Sequence, residues 1–209
     1  MSTQSVELIR LDPSEIVAAT LHAGLRPSDV LVVEHAWAEH RARLIAGLST
    51  RGVPRSDWPQ SLHWNWEAKA PQLLLLQASC AGIFCDERWQ GLMMTKTAVH
   101  MATLAPDVGK PLVYVDFLET APWNWRISSL GQEPQFKSVG TLLFKEAVEQ
   151  SIREDFHGRV GLHALPQAES LYERVFRMTR VGPDAKKQNL VYFEFTRQQA
   201  HRFLSGGEP

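Results

Sequence analysis

The stretch PLVYVDFLET, residues 111–120, constrains the fold more than any other part of the chain. It is rich in β-branched and aromatic residues and is bounded by Gly109 before it and Pro122 after it. Its near-continuous apolar character predicts a strand buried on both faces, and therefore a central strand in a sheet covered by helices. Beyond it, QFKSVGT (135–141) opens into an amphipathic helix that runs to about Asp155. A strand feeding a helix in this way belongs to an α/β layer structure.

The rest of the chain fills in around that strand. VELIRLD (6–12) reads as an opening strand. Asp12 and Pro13 then read as the cap and first turn of a short helix over 14–24 that stops at Gly24. A longer helix follows to about Leu48, with Ser28 as its cap and Val33, Trp37, Leu44 and Leu48 facing the core. Residues 49–61 form a loop. QLLLLQAS (72–79) and WQGLMMTKTAV (89–99) predict strands on either side of a hairpin tip near CDERW. Strands over 159–165, 176–182 and 189–196 and a short helix over 167–176 complete the order. No repeat or linker interrupts it, so the reading is one domain over 1–204 and a disordered tail, SGGEP, at 205–209.

Composition narrows the function classes. The chain has 209 residues, 22 basic against 23 acidic, so bulk charge does not draw it to nucleic acid or an anionic membrane. Arg41, Arg43, Arg51 and Arg55 form only a local basic patch. No apolar run reaches membrane-spanning length, and MSTQSVELIRLD lacks a signal-peptide pattern, which predicts a cytoplasmic protein. Cys80 and Cys85 lack a second pair at ligand spacing and read as buried thiols. There is no HExxH, so no metal site is expected. GxxxxGK[ST] and GxGxxG are both missing, which argues against a P-loop or a dinucleotide fold.

The loop at 135–141 has two readings. In one, Ser138 simply caps the helix and Gly140 is incidental. In the other, the free N–H groups and partial positive charge of a helix start cradle phosphates, with small residues allowing close approach and Lys137 adding charge. The stretch resembles the acyl-CoA-binding motif Q/R-x-x-G-x-G/A of the GNAT acetyltransferase superfamily. That motif follows the superfamily's fourth strand and opens its third helix. Gln135 fills its first position, Ser138 stands at the first glycine and Gly140 matches the last. Downstream, RVGLHALPQAESLYERVF places Ala168 and Tyr172 at the spacing of the family's Asn-x-x-Ala-x-x-x-Tyr, with Leu165 for Asn and Val175 for a glycine before Phe176. A serine at 138 fits the motif only at a negative φ. Twelve residues, 123–134, separate Pro122 from Gln135, where the family has a few.

The resemblance implies a GNAT-like mixed central β-sheet flanked by helices. It implies acetyl-CoA, or another acyl-CoA, as cofactor and transfer of the acyl group to an amine. It places the cofactor against Leu118, Glu119 and Thr120 at the strand end, against Gln135, Phe136, Lys137, Ser138, Val139, Gly140 and Thr141 in the loop, and against Ala168 and Tyr172. It gives Tyr172 the role of acid toward the leaving thiolate; the plain alternative is a core tyrosine. For the base, Glu119 is preferred to Asp116, because an odd spacing sends the two to opposite faces and Glu119 lies at the strand end, where such sheets bind ligands. Glu119 read without the family is equally a paired structural carboxylate, and His163 is a third candidate that reads more simply as a hydrogen-bonded core histidine.

Seven tryptophans include two Trp-Asn-Trp triplets, at 64–66 and 123–125. Trp123, Trp125 and Glu67 are the candidates for acceptor contact, against the alternative that the indoles pin loops onto the sheet. The partner expected is a small-molecule amine, with no nucleic acid and no membrane; homodimer formation stays open. A GNAT-fold module that binds CoA or another ligand without transfer is the competing reading.

Overall fold

The computed structural model describes residues 1–97 and 100–205. The described residues form an α/β structure, with nine strands hydrogen-bonded in the order β6-β1-β2-β3-β4-β5-β7-β9-β8 and with helices flanking the sheet. In chain order, β1 (Ser2–Leu11) and β2 (Ser14–Ala23) precede α1 (Pro27–Thr50) and the single turn α2 (Trp66–Lys69). Then come β3 (Ala78–Cys85), β4 (Arg88–Lys96), β5 (Val113–Thr120), β6 (Phe136–Lys137), α3 (Val139–Arg153), β7 (Val160–Ala164), β8 (Thr179–Asp184), β9 (Leu190–Phe195) and α4 (Arg197–Leu204). β5 and β7 pair in parallel over Val113–Val115 against Val160–Leu162, whereas β1–β2, β2–β3, β7–β9 and β8–β9 are antiparallel, so the sheet is mixed.

The described residues group into two compact units. The first comprises Met1–Met93 and Leu118–Leu143. Its core holds Leu8, Trp37, Leu48, Trp66, Ile83 and Leu92. Val33, Trp37, Leu44 and Leu48 are buried on one stripe of α1, as helical spacing requires. The second comprises Met94–Phe117 and Phe144–Pro209, and its core gathers Phe144, Tyr172, Phe176, Phe193 and Phe195. Strands β4 and β5 and helix α3 contribute residues to both.

Several local expectations are corrected. Residues 14–24 are not a helix: Asp12 and Pro13 form the tip of a hairpin, with Leu11 opposite Ser14, and Val17, Ala19 and Leu21 turn inward at period two. Pairing with β1 and β3 outweighs a local helix-start signal. Helix α1 begins with Arg26 as its cap rather than Ser28, and the Asp29 carboxylate accepts the Arg26 backbone N–H at 2.8 Å. QLLLLQAS is a strand only in its last two residues: Pro71 lies in the first turn of a 3-10 helix over Ala70–Leu74, Leu74 and Leu76 are exposed, and β3 begins at Ala78. The 167–176 segment is a 3-10 turn and a π turn, and the following strand begins at Thr179 because Phe176 packs into the aromatic core instead. The hairpin tip near CDERW is as expected, with Asp86 and Glu87 both at positive φ in a two-residue turn.

Helix α4 was not foreseen; Thr196 and Gln199 cap it reciprocally, and Ser205 closes it. Of the expected tail, Gly206–Pro209 lie outside the described residues, as do Ala98 and Val99 of the predicted 89–99 strand. Among the described residues, no helix is long and apolar enough to cross a membrane, and no group of three or more His, Cys, Asp or Glu is placed to hold a metal ion.

Candidate active site

The loop at 135–141 is held by the sheet before it becomes helix. β6 pairs with β1, placing Arg10 opposite Phe136 and Ile9 opposite Lys137. The Gln135 carbonyl accepts the Leu11 N–H at 2.9 Å, and its side chain accepts from Arg88 at 3.0 Å. The Phe136 N–H donates to Asn124 Oδ1 at 3.0 Å, and Asn124 in turn donates to Gln90. The helix ladder begins with the Leu142 N–H on the Ser138 carbonyl, so the N–H groups of the turn ahead of it have no acceptor within the helix. No acidic residue sits in the first turn of α3, and Lys137 is exposed beside it.

Two backbone features shape this helix start. Ser138 lies at φ +73°, not at the negative value the motif was expected to need. The backbone therefore takes the left-handed conformation that glycine would supply, and the serine carries a strain of about 1–2 kcal/mol. Gly91 on β4 lets α3 sit close: a Cβ there would stand 2.6 Å from Val139 Cγ1 and 2.9 Å from Leu143 Cδ1. At Gly140 an added Cβ would meet only Leu118 Cδ2, at 3.8 Å, so the backbone of the first turn stays approachable. Free N–H groups, a nearby cation, no local acid and open backbone are what a diphosphate requires.

Glu119, at the end of β5, is 3% exposed. Its Oε2 accepts the Trp66 indole N–H at 2.5 Å, while Oε1 has no hydrogen-bond partner. Burial pushes its pKa up to about 7, and the Trp66 bond, the Arg41 charge, the Ser61 hydroxyl and the Lys69 charge pull it only part of the way back. A carboxyl poised there can exchange a proton near neutral pH. Behind it, α1 buries an ion pair between Arg41 and Glu34, and Glu34 also accepts the Trp66 backbone N–H at 2.8 Å. The Trp37 ring stands edge-on to both Trp66 and Trp123.

The other candidates fall as follows. Trp123 is buried and donates to Gln90 Oε1 at 2.8 Å; Trp125 donates to the Thr120 carbonyl at 3.0 Å. Both indole N–H groups thus tie the 123–134 segment to strand ends, and Gln132 adds bonds to the carbonyls of Pro122 and Trp125. Glu67 is exposed on α2, and Leu118 and Thr120 are partly buried. Asp116 is paired with Lys96 at 2.6 Å. His163 bonds Tyr114 at 2.8 Å and Asp184 at 3.2 Å, with burial lowering its pKa. Ala168 closes a 3-10 turn on the Leu165 carbonyl. Tyr172 is buried among Phe144, Phe176 and Phe193, and its hydroxyl is pushed up to about 12 by that burial. Sequence reading passed over Glu34, Ser61 and Gln90, and it took Arg41 for part of a local basic patch, whereas Arg41 is buried against Glu34. The signal for Glu34 and Arg41 was their place on the same stripe of α1 as Trp37 and Leu44.

No protein-family model matches the sequence, and no curated protein does. Solved structures do. A putative acetyltransferase of the GNAT family from Desulfovibrio desulfuricans superposes with a TM-score of 0.51 over 86% of this chain and 99% of its own, at 10% identity. The chain has the GNAT fold. A bacterial toxin is similar to the same degree, with a TM-score of 0.51 and 12% identity over 69% of this chain and 82% of that one. A PaiA N-acetyltransferase from Thermoplasma acidophilum, solved with coenzyme A, gives 0.48 and 12% over 83% and 97%. At these identities the likeness concerns the fold.

Proposed function

We propose that this protein is a cytoplasmic N-acyltransferase that uses acetyl-CoA to acylate a small-molecule amine. The observation that carries the reading is the start of α3. The motif-like segment Gln135–Gly140 is pinned by β1 and Asn124 and presents first-turn N–H groups with no acid nearby. These groups and Lys137 would hold the diphosphate, and the β5 backbone from Leu118 to Thr120 would accept the amides of the pantetheine arm. Bound acetyl-CoA supplies an acyl group already activated as a thioester. An alkylammonium must lose its proton before it can attack, and Glu119 Oε1 is the group that takes it. Tyr172 Oη is the proton donor toward the sulfur; its burial makes that proton harder to release.

Isothermal titration with acetyl-CoA tests the cradle. The wild type should bind in the micromolar range, and Gly140→Asp, which puts a carboxylate at the helix start, should abolish the heat while staying folded. Binding that survives Gly140→Asp would refute the cradle. A panel of small amines then tests transfer: Glu119→Gln should lower kcat/KM by about 10²–10⁴-fold. Tyr172→Phe should lower turnover with CoA binding intact.

A second reading has one observation in its favour: Glu119 is 3% exposed beneath Trp66. A module that holds CoA and signals without transfer would keep the cradle and leave that carboxyl buried. Tight CoA binding with no turnover of any amine would select it.

A further inference from the structure

We infer that Trp66 is the positioning residue of the proposed base: the buried Glu34–Arg41 pair grips its main chain, its indole N–H occupies Glu119 Oε2, and Oε1 is thereby reserved as the atom that takes the acceptor's proton. This rests on Glu119 as base, but the geometry is independent of turnover.

A buried ion pair is costly to desolvate and needs a reason to face the core of a helix. Glu34 is 6% and Arg41 5% exposed, two turns apart on α1. The Glu34 carboxylate spends one oxygen on Arg41 and the other on the Trp66 N–H. Trp66 opens α2, a single turn too short to be fixed by its own helix propensity. Glu34 holds its first residue, Asn65 caps it through the Ala68 N–H at 2.8 Å, and Trp37 stands perpendicular to the Trp66 ring, at 86° and 6.4 Å between centroids. The indole therefore reaches Glu119 in one orientation.

An indole N–H can only donate. Oε2 therefore accepts in both states, and the proton of the neutral carboxyl falls preferentially to Oε1, which meets no donor within hydrogen-bond geometry. The charged groups facing the carboxyl are Arg41 from α1 and Lys69 from α2, and the Ser61 hydroxyl stands against it as well; all three favour the ionised form. Removing the indole donor removes a bond made to the carboxylate, so the carboxyl should hold its proton to higher pH.

The test is a pH titration by NMR on the full chain, with carboxyl-labelled glutamate and indole-labelled tryptophan, and Glu119→Gln to assign the signals. In the wild type the Trp66 indole resonance should shift with the same midpoint as Glu119, near neutral pH, and should be flat in Glu119→Gln. In Trp66→Phe, which keeps a ring, the Glu119 midpoint should rise by about one unit. The acid limb of kcat/KM should move up with it. An unchanged Glu119 midpoint in Trp66→Phe overturns the inference. If that variant does not fold, a wild-type Trp66 indole that stays flat while Glu119 titrates overturns it equally. A coupled titration in a protein that turns over no amine would keep the clamp and discard the transferase reading.

Discussion

The two units use aromatic residues in opposite ways. In the first, indoles act through their N–H groups: Trp37 donates to the Trp89 carbonyl, Trp66 to Glu119, Trp123 to Gln90 and Trp125 to Thr120. In the second, Phe144 stacks on Phe176 at 4.5 Å and meets Phe195 and Phe203 edge-on, phenyl rings that carry no donor, with the Tyr172 ring packed beside them. A phenyl cluster contributes buried area and shape. An indole cage does that and also fixes polar atoms, so it can hold a titratable group in a defined state.

The contrast can be broken by substitution. Phe144→Ala should cost the most stability, about 3–5 kcal/mol in denaturant unfolding, with little dependence on pH. In the cage the effect should depend on pH instead. Glu119 has a folded pKa raised from 4.5 to about 7, so folding favours its protonated form. That contribution is complete below pH 4.5 and is lost as pH rises through 7; the loss is on the order of 3 kcal/mol. Glu119→Gln should therefore flatten the stability profile across that window, and a variant profile parallel to the wild type would show that the carboxyl is not held as described. Trp123→Phe removes one indole bond and leaves Asn124 on Gln90, so it should cost only about 1 kcal/mol. Smallest in size but opposite in sign, Ser138→Gly should add up to about 1 kcal/mol to the unfolding free energy by relieving the left-handed serine. Unchanged stability there would mean that the serine side chain repays its strain locally.

What the sequence revealed follows the same division. Period and composition identified β5, the buried stripe of α1 and the start of α3, because each is a pattern carried by a few neighbouring residues. They misread residues 14–24, where Asp-Pro serves a hairpin turn as well as a helix start and only the pairing with β1 decides. They misread QLLLL, where apolar character alone does not say whether a neighbouring strand exists. Strand parity put Glu119 and Asp116 on opposite faces, the strand-end position of Glu119 decided between them, and Asp116 proves to be paired with Lys96. Two charges on the buried stripe of α1 marked Glu34 and Arg41, but their link through Trp66 to Glu119 joins α1, α2 and β5 by contacts that no spacing encodes.

The pairing of β6 with β1 has a practical consequence. The segment that leads into the helix start is stitched to β1 through Ile9, Arg10 and Leu11. An affinity tag, a fusion or a protease nick at residues 1–11 would loosen that stitch from far along the sequence. Lost cofactor affinity in such a preparation would then report a damaged tether, and an untagged or carboxy-terminally tagged protein is the one whose binding constant describes the cradle itself.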